Sequence, residues 1–175
     1  MHNSGDKVHM LSQEVQYMKF KDWKVYAVWI GLSEAVGILA GIISRSGMQN
    51  YMTMAEKPPL TPPGILFPIV WTILYALMGI GAARIYLSME SPQRNRGITV
   101  FIAQLIVNFF WPLFFFNLQA YGFAFFWLLL LWVLVFYMIF TFYKTDKLAA
   151  WLQIPYLIWL TFAAYLNLGV WLLNG

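Results

Sequence analysis

Five apolar runs dominate this chain, at residues 25–43, 65–86, 98–118, 121–142 and 148–173. A hydrocarbon layer about 30 Å thick is crossed by about 20 residues of helix, and each run is close to that length. Backbone amides in lipid have no water to bond to, so each run must satisfy its own hydrogen bonds as a helix. The expected fold is therefore all-α, a membrane protein built as a bundle of five transmembrane helices. Composition agrees, since the 175 residues are 61% hydrophobic, 19% aromatic and only 10% charged. Soluble domains carry about 25% charged residues, and a globule this small has too little interior to hide so much apolar surface. A cytosolic enzyme, a nucleic-acid-binding module and a disordered tail are all excluded.

The chain divides into a polar N-terminal segment, 1–24, and one membrane domain, 25–175, without internal repeats. In the first segment Leu11, Val15 and Met18 recur at helical spacing ahead of Lys19, Lys21, Trp23 and Lys24. Two readings are open: an interfacial helix lying on the inner leaflet, or a solvated tail. The segment has no apolar centre of the kind a cleavable signal peptide needs, so none is expected. Lys7, Lys19, Lys21, Lys24, Arg84, Arg94, Arg96, Lys144 and Lys147 fall at one end of the bundle, against Arg45 and Lys57 at the other. The positive-inside rule then predicts a cytoplasmic N-terminus and an outside C-terminus, in a bacterial-type plasma membrane. The net charge of +4 follows from this bias and implies no nucleic-acid partner.

Chemistry-bearing residues are few. Cysteine is absent, which removes disulfides, thiolate metal sites and cysteine nucleophiles. His2 and His9 both lie in the polar segment, so no span offers a haem-ligating imidazole, and no metal site is expected. No nucleotide-binding or hydrolase motif occurs, and no span carries paired carboxylates for acid–base work. Glu34 stands alone midway along the first run. A carboxyl at that depth must face the bundle, either as a ligand partner or relay, or as an interhelical hydrogen bond.

Three runs carry stripes on one helical face: Trp71, Tyr75 and Met78; Gln104, Asn108 and Trp111; and Trp159, Ala163 and Asn167. Converged, they line an apolar pocket with a few hydrogen-bonding groups, the usual makeup of a small-molecule site. The competing reading is that Gln104, Asn108 and Asn167 bond helix to helix. Trp23, Trp29, Trp151 and Trp171 lie near span ends, where aromatic belts form, and Trp127 and Trp132 are expected to face lipid. Gly37-x-x-x-Gly41 permits close approach of another helix.

Between the first two runs lies Glu56-Lys57-Pro58-Pro59-Leu60-Thr61-Pro62-Pro63-Gly64. Its proline pairs hold the chain extended, as a lid over one end of the bundle. Phe67-Pro68-x-x-Trp71-Thr72-x-Leu74-Tyr75 follows. With Gln104-x-x-x-Asn108-x-x-Trp111-x-x-x-Phe115-Phe116 and Pro155-Tyr156-Leu157-Ile158-Trp159, running on through Ala163 to Asn167, the chain resembles the translocator protein family. These are the tryptophan-rich sensory proteins, TspO/MBR, or peripheral benzodiazepine receptors. The likeness spans roughly residues 29–174.

The resemblance implies a five-helix bundle, often a homodimer in membrane lipid, with a pocket beneath the first loop. There the family binds porphyrins such as protoporphyrin IX and benzodiazepine-type ligands. Its two pocket tryptophans match Trp71 and Trp159, its third-helix positions Asn108 and Trp111, and its small fifth-helix residue Ala163. Tyr75, Gln104 and Asn167 complete the expected ligand face, with Tyr51, Lys57, Pro58, Pro62 and Pro63 in the lid. Tyr51-Met52 stands where many members have Trp-Tyr, and Leu60 where a tryptophan is frequent. No basic residue follows Lys147, so the family's C-terminal cholesterol motif is missing. Val15-x-Tyr17-x-Lys19 and Lys24-x-Tyr26-x-Val28 fit only the loose sterol patterns.

Three functions follow as expectations. The first is a receptor or sensor that binds a tetrapyrrole, metal-free because the pocket has no histidine, and needs no cofactor. The second is an enzyme of light- and oxygen-dependent porphyrin breakdown through Trp71 and Trp159, with no other catalytic residue. The third is a transporter of tetrapyrroles or other lipophiles.

Overall fold

The computed structural model describes the backbone from Ser4 and the side chains from Asp22 to Gly175. The expected interfacial segment, apart from its last three residues, falls on side chains outside that described range. Helix α1 runs Ser4–Ile43, α2 Arg45–Met54, α3 Leu66–Leu87, α4 Pro92–Pro112, α5 Tyr121–Tyr143, α6 Lys147–Trp151 and α7 Ile154–Asn174. Five stretches are long and apolar enough to cross a membrane: Asp22–Ile43, Leu66–Leu87, Pro92–Asn117, Tyr121–Tyr143 and Lys147–Asn174. They coincide with the five apolar runs. The chain is an integral membrane protein of the expected all-α class.

Three local features depart from plain spans, each with a cause in the sequence. Pro112 closes α4, and Leu113–Asn117 continues it as one wide π turn. A proline cannot donate to the preceding turn, and such widened turns answer the lost bond. The turn presents Phe115 and Phe116 to the interior. Asn117 then donates to the Ile43 carbonyl at 3.0 Å, tying this turn to the end of α1. The fifth span is broken before Pro155, which sits in the first turn of α7 where its missing N–H is harmless. Buried Gln153 fills the break, donating to Leu77 and Ala149 carbonyls at 3.3 and 3.2 Å. Finally, Arg45–Met54 forms a short helix, α2, ahead of the proline-rich stretch, which is non-helical as its proline pairs require.

The closest helix pairs are α1 with α3, α4 with α5 and α5 with α7. In the first pair Gly37 leaves room for the Tyr75 ring, which a Cβ there would strike. The first glycine of Gly37-x-x-x-Gly41 is thus occupied within the chain, while Gly41 faces open space. Trp127 and Trp132, expected to face lipid, are half-buried instead. Their indole N–H groups donate to the Val107 carbonyl at 2.8 Å and the Thr161 hydroxyl at 2.9 Å. An indole donor facing lipid would stay unpaired, so both turn inward.

At the basic end, Asp146 caps α6 through the Ala149 amide at 2.9 Å and pairs with Arg84 at 2.7 Å. Burial raises the pKa of this carboxyl, but the Ala149 and Arg84 hydrogen bonds outweigh burial and hold it below its ordinary value. Its stabilisation is therefore present above the unfolded value of about 3.9, and is lost as pH falls through the lower folded value. Asp146→Ala should cost about 1 kcal/mol at neutral pH. Thermal unfolding in detergent checks this, with variant and wild type converging on strong acidification.

Candidate functional site

Beneath α2 and the proline-rich loop lie two adjoining cavities of about 620 and 580 Å³. The first opens between α2, the start of α3, the π turn and α7, lined by Tyr51, Phe115, Ala163 and Asn167 among others. The second reaches toward α1, where Glu34, Gly37, Trp71, Tyr75 and Asn108 line it. Met48, Gly64, Phe67, Trp111 and Phe116 border both. The two are lobes of one cleft, each in the roughly 300–1,000 Å³ range of small-molecule sites.

A buried polar chain forms the wall between α3, α4 and α7. Tyr75 donates its hydroxyl to Asn108 Oδ1 at 2.9 Å, and Asn108 Nδ2 donates to the Tyr156 hydroxyl at 2.5 Å. Tyr156 in turn donates to Gln104 Oε1 at 3.1 Å, and Gln104 Nε2 points to the Met78 sulfur at 3.8 Å. A second bridge runs from the Trp111 indole to Asn167 at 3.2 Å, and from Asn167 to the Tyr121 carbonyl at 2.8 Å. Asn108 and Asn167 line the cleft, yet their hydrogen bonds join helices. Gln104 lines neither lobe and serves only the wall.

Trp71 is half-buried beside the second lobe, tilted against Tyr75 at 5.5 Å between ring centroids. Trp159 lines neither lobe. Its ring meets Phe67 edge-on at 5.9 Å, and its buried indole N–H has no acceptor. Phe67, one helical turn before Trp71, borders both lobes and packs against Trp159, so only Trp71 of the two tryptophans lines the cleft.

The lid is strapped to α7. Glu56 and Asn174 exchange two hydrogen bonds, 2.8 and 2.9 Å long. Tyr165 donates to the Pro59 carbonyl at 3.0 Å, and buried Pro58 lies against Gly169, where a Cβ would collide with its ring. Lys57 donates to the Met52 carbonyl at 2.8 Å, closing the end of α2, and its ammonium lies 5.5 Å from the Tyr51 ring centre. Burial, and then the neighbouring Tyr121, push the Tyr51 phenol up to about 12, so it stays neutral. Pro62 and Pro63 line neither lobe, and the Pro63 carbonyl accepts from Leu66 at 2.9 Å to start α3. Between Pro58 and Thr61 the chain turns with Leu60 at φ 66°, a left-handed conformation unusual for a side chain of this size.

Sequence reasoning passed over several residues of this site. Tyr156, at the centre of the wall, lies three residues before Trp159 on the same face, which was the available signal. Phe67 and Met48 separate the lobes. Arg45 is the one basic side chain lining the cleft, as Glu34 is the one acidic side chain, and neither makes an ion pair among the described residues.

Asn108→Leu should strand the Tyr75 hydroxyl, which loses its acceptor, at about 1–3 kcal/mol, whereas Tyr156 keeps Gln104 as its acceptor. The expected drop in unfolding temperature should be partly recovered in Tyr75→Phe/Asn108→Leu, which removes the stranded group.

Comparison with known proteins agrees with this architecture. The sequence profile of the TspO/MBR family matches residues 29–172. The tryptophan-rich protein TspO of Chlorobaculum tepidum is 35% identical over 149 residues, covering 85% of this chain and 94% of that protein. Protein CrtK of Rhodobacter capsulatus is 35% identical over 86% of this chain and 92% of its own length. The translocator protein of Ovis aries is 32% identical over 74% of this chain and 77% of its own. With the five spans, the lid and the cleft carried by the residues of its motifs, the chain belongs to the TspO/MBR family of membrane proteins.

Proposed function

We propose that this protein is a membrane receptor that binds porphyrins, protoporphyrin IX first among them, and similar flat aromatic ligands in the two-lobed cleft. The observation that carries this reading is the division of labour in the walls. The amides and hydroxyls bond to one another, while Trp71, Trp111, Phe67, Phe115 and Phe116 leave apolar aromatic surface toward the cavity. Each ring stacked on a flat ligand adds about 0.5–1.5 kcal/mol beyond area burial. Arg45 gives the first lobe a cation for a ligand carboxylate, and a guanidinium fork suits that group. Among the described residues no imidazole or thiolate lines either lobe, which favours the metal-free macrocycle. Assembly as a homodimer, with the N-terminus in the cytoplasm of a bacterial cell, belongs to the same reading.

The test is a titration in the dark of detergent-purified protein with protoporphyrin IX, following tryptophan quenching and the porphyrin absorption band. Saturable binding is expected, weakened in Trp71→Phe. Arg45→Gln should weaken the dicarboxylate about tenfold, as the loss of one charge-assisted hydrogen bond implies, and leave the dimethyl ester unchanged. Unsaturable partitioning, equal in protein and empty micelles, would overturn the receptor reading. Illuminating the bound complex then separates receptor from enzyme, since only the enzyme bleaches porphyrin faster than empty micelles do. Flux into proteoliposomes above an empty-liposome control would identify a transporter.

A further inference from the structure

A smaller cavity of about 110 Å³ lies at the opposite, basic end of the bundle, between the start of α4 and the end of α5. Gln93 and Arg96 line it from α4, Tyr137, Phe140 and Thr141 from α5, and Lys144 from the cap of α5. The acids nearby in sequence are already engaged: Asp146 holds Arg84 at 2.7 Å, and Glu90 holds Arg94 at 3.5 Å. Among the described residues, Arg96 and Lys144 have no carboxylate partner. The Lys144 ammonium instead rests 4.3 Å from the centre of the Phe140 ring.

Two cations, one on α4 and one at the end of α5, therefore face one small cavity that no acid among the described residues lines. Like charges so placed repel, and an anion in the cavity turns that repulsion into attraction for both. The other polar groups present donors as well. A guanidinium, an ammonium, the Tyr137 hydroxyl and the Gln93 amide all have N–H or O–H groups to offer. The Thr141 hydroxyl is turned back to the Met138 carbonyl at 2.8 Å. Such a surplus of donors suits a phosphate group, which brings only acceptors.

The position selects the source of that phosphate. Tyr137 and Phe140 are exposed, 39% and 55%, and continue from the cavity along α5 toward the middle of its span. A phosphate at the mouth with hydrocarbon lying along those rings is the shape of a phospholipid. A zwitterionic headgroup brings its own cation against Arg96 and Lys144, whereas an anionic one does not. We propose that this cavity holds the headgroup phosphate of an anionic phospholipid, independently of what occupies the cleft.

Native mass spectrometry of the full chain, given equal amounts of phosphatidylglycerol and phosphatidylcholine, tests this. One phosphatidylglycerol should be retained per chain, preferred by about ten- to thirtyfold for two surface cations. Arg96→Gln/Lys144→Gln should abolish the preference, and the charge-conserving Arg96→Lys/Lys144→Arg should keep it. Arg45→Gln/Lys57→Gln, at the other end, should also keep it. A thermal unfolding midpoint unchanged in the neutral pair shows that loss of lipid is not loss of fold. Equal retention of the two lipids, or a preference that survives the neutral pair, would overturn the proposal. So would displacement of the lipid by millimolar inorganic phosphate, which would make the cavity a site for the free anion.

Discussion

A hydroxyl or amide within a helix bundle in lipid has no water to fall back on, so it must find another protein group or leave a donor stranded. Here that constraint is met by the chain Tyr75–Asn108–Tyr156–Gln104, which joins α3, α4 and α7 at one level. Everything on the lid side of that level can then stay open. The helices are held at a fixed separation below, and the cleft occupies the space above, where Phe67, Trp111 and Phe116 divide it. The fit of Tyr75 depends in turn on Gly37, which makes room for its ring. One missing Cβ on α1 thus supports a hydrogen-bond chain across three other helices.

The lid repeats this economy at the surface. Its hold on α7 uses one side-chain amide, one tyrosine hydroxyl and one proline ring, each meeting α7 at a different turn. None of these contacts involves a residue that lines the cleft. The straps and the cleft lining are therefore carried by different residues.

Much of this was legible in the sequence, for physical reasons. Length and hydropathy set the five spans because lipid leaves a spanning segment no alternative to helix. Helical spacing placed Asn108, Trp111 and Asn167 correctly on inward faces, because a 3.6-residue period does not depend on neighbours. What escaped was whatever depended on neighbours. Spacing put Gln104 and Asn108 on the same face, but only the reach of Tyr156 decides that Gln104 belongs to the wall and not to the cavity. Trp159 points inward as its stripe required, yet Phe67 from α3 packs against it and lines the cleft instead. Trp127 and Trp132 looked lipid-facing on an almost wholly apolar helix, where no polar face marks the inside. Arg45 read as an ordinary loop charge until α2 folded it over the cleft.

The turn at Leu60 has an energetic consequence. A glycine adopts φ 66° freely, whereas a leucine there carries about 1–2 kcal/mol of backbone strain. The hydrogen bonds and packing that strap the loop to α7 must offset that strain. Leu60 itself is 79% exposed and lines neither lobe. The stability of the strapped loop is therefore set in part by an outward-facing side chain that lines no part of the cleft.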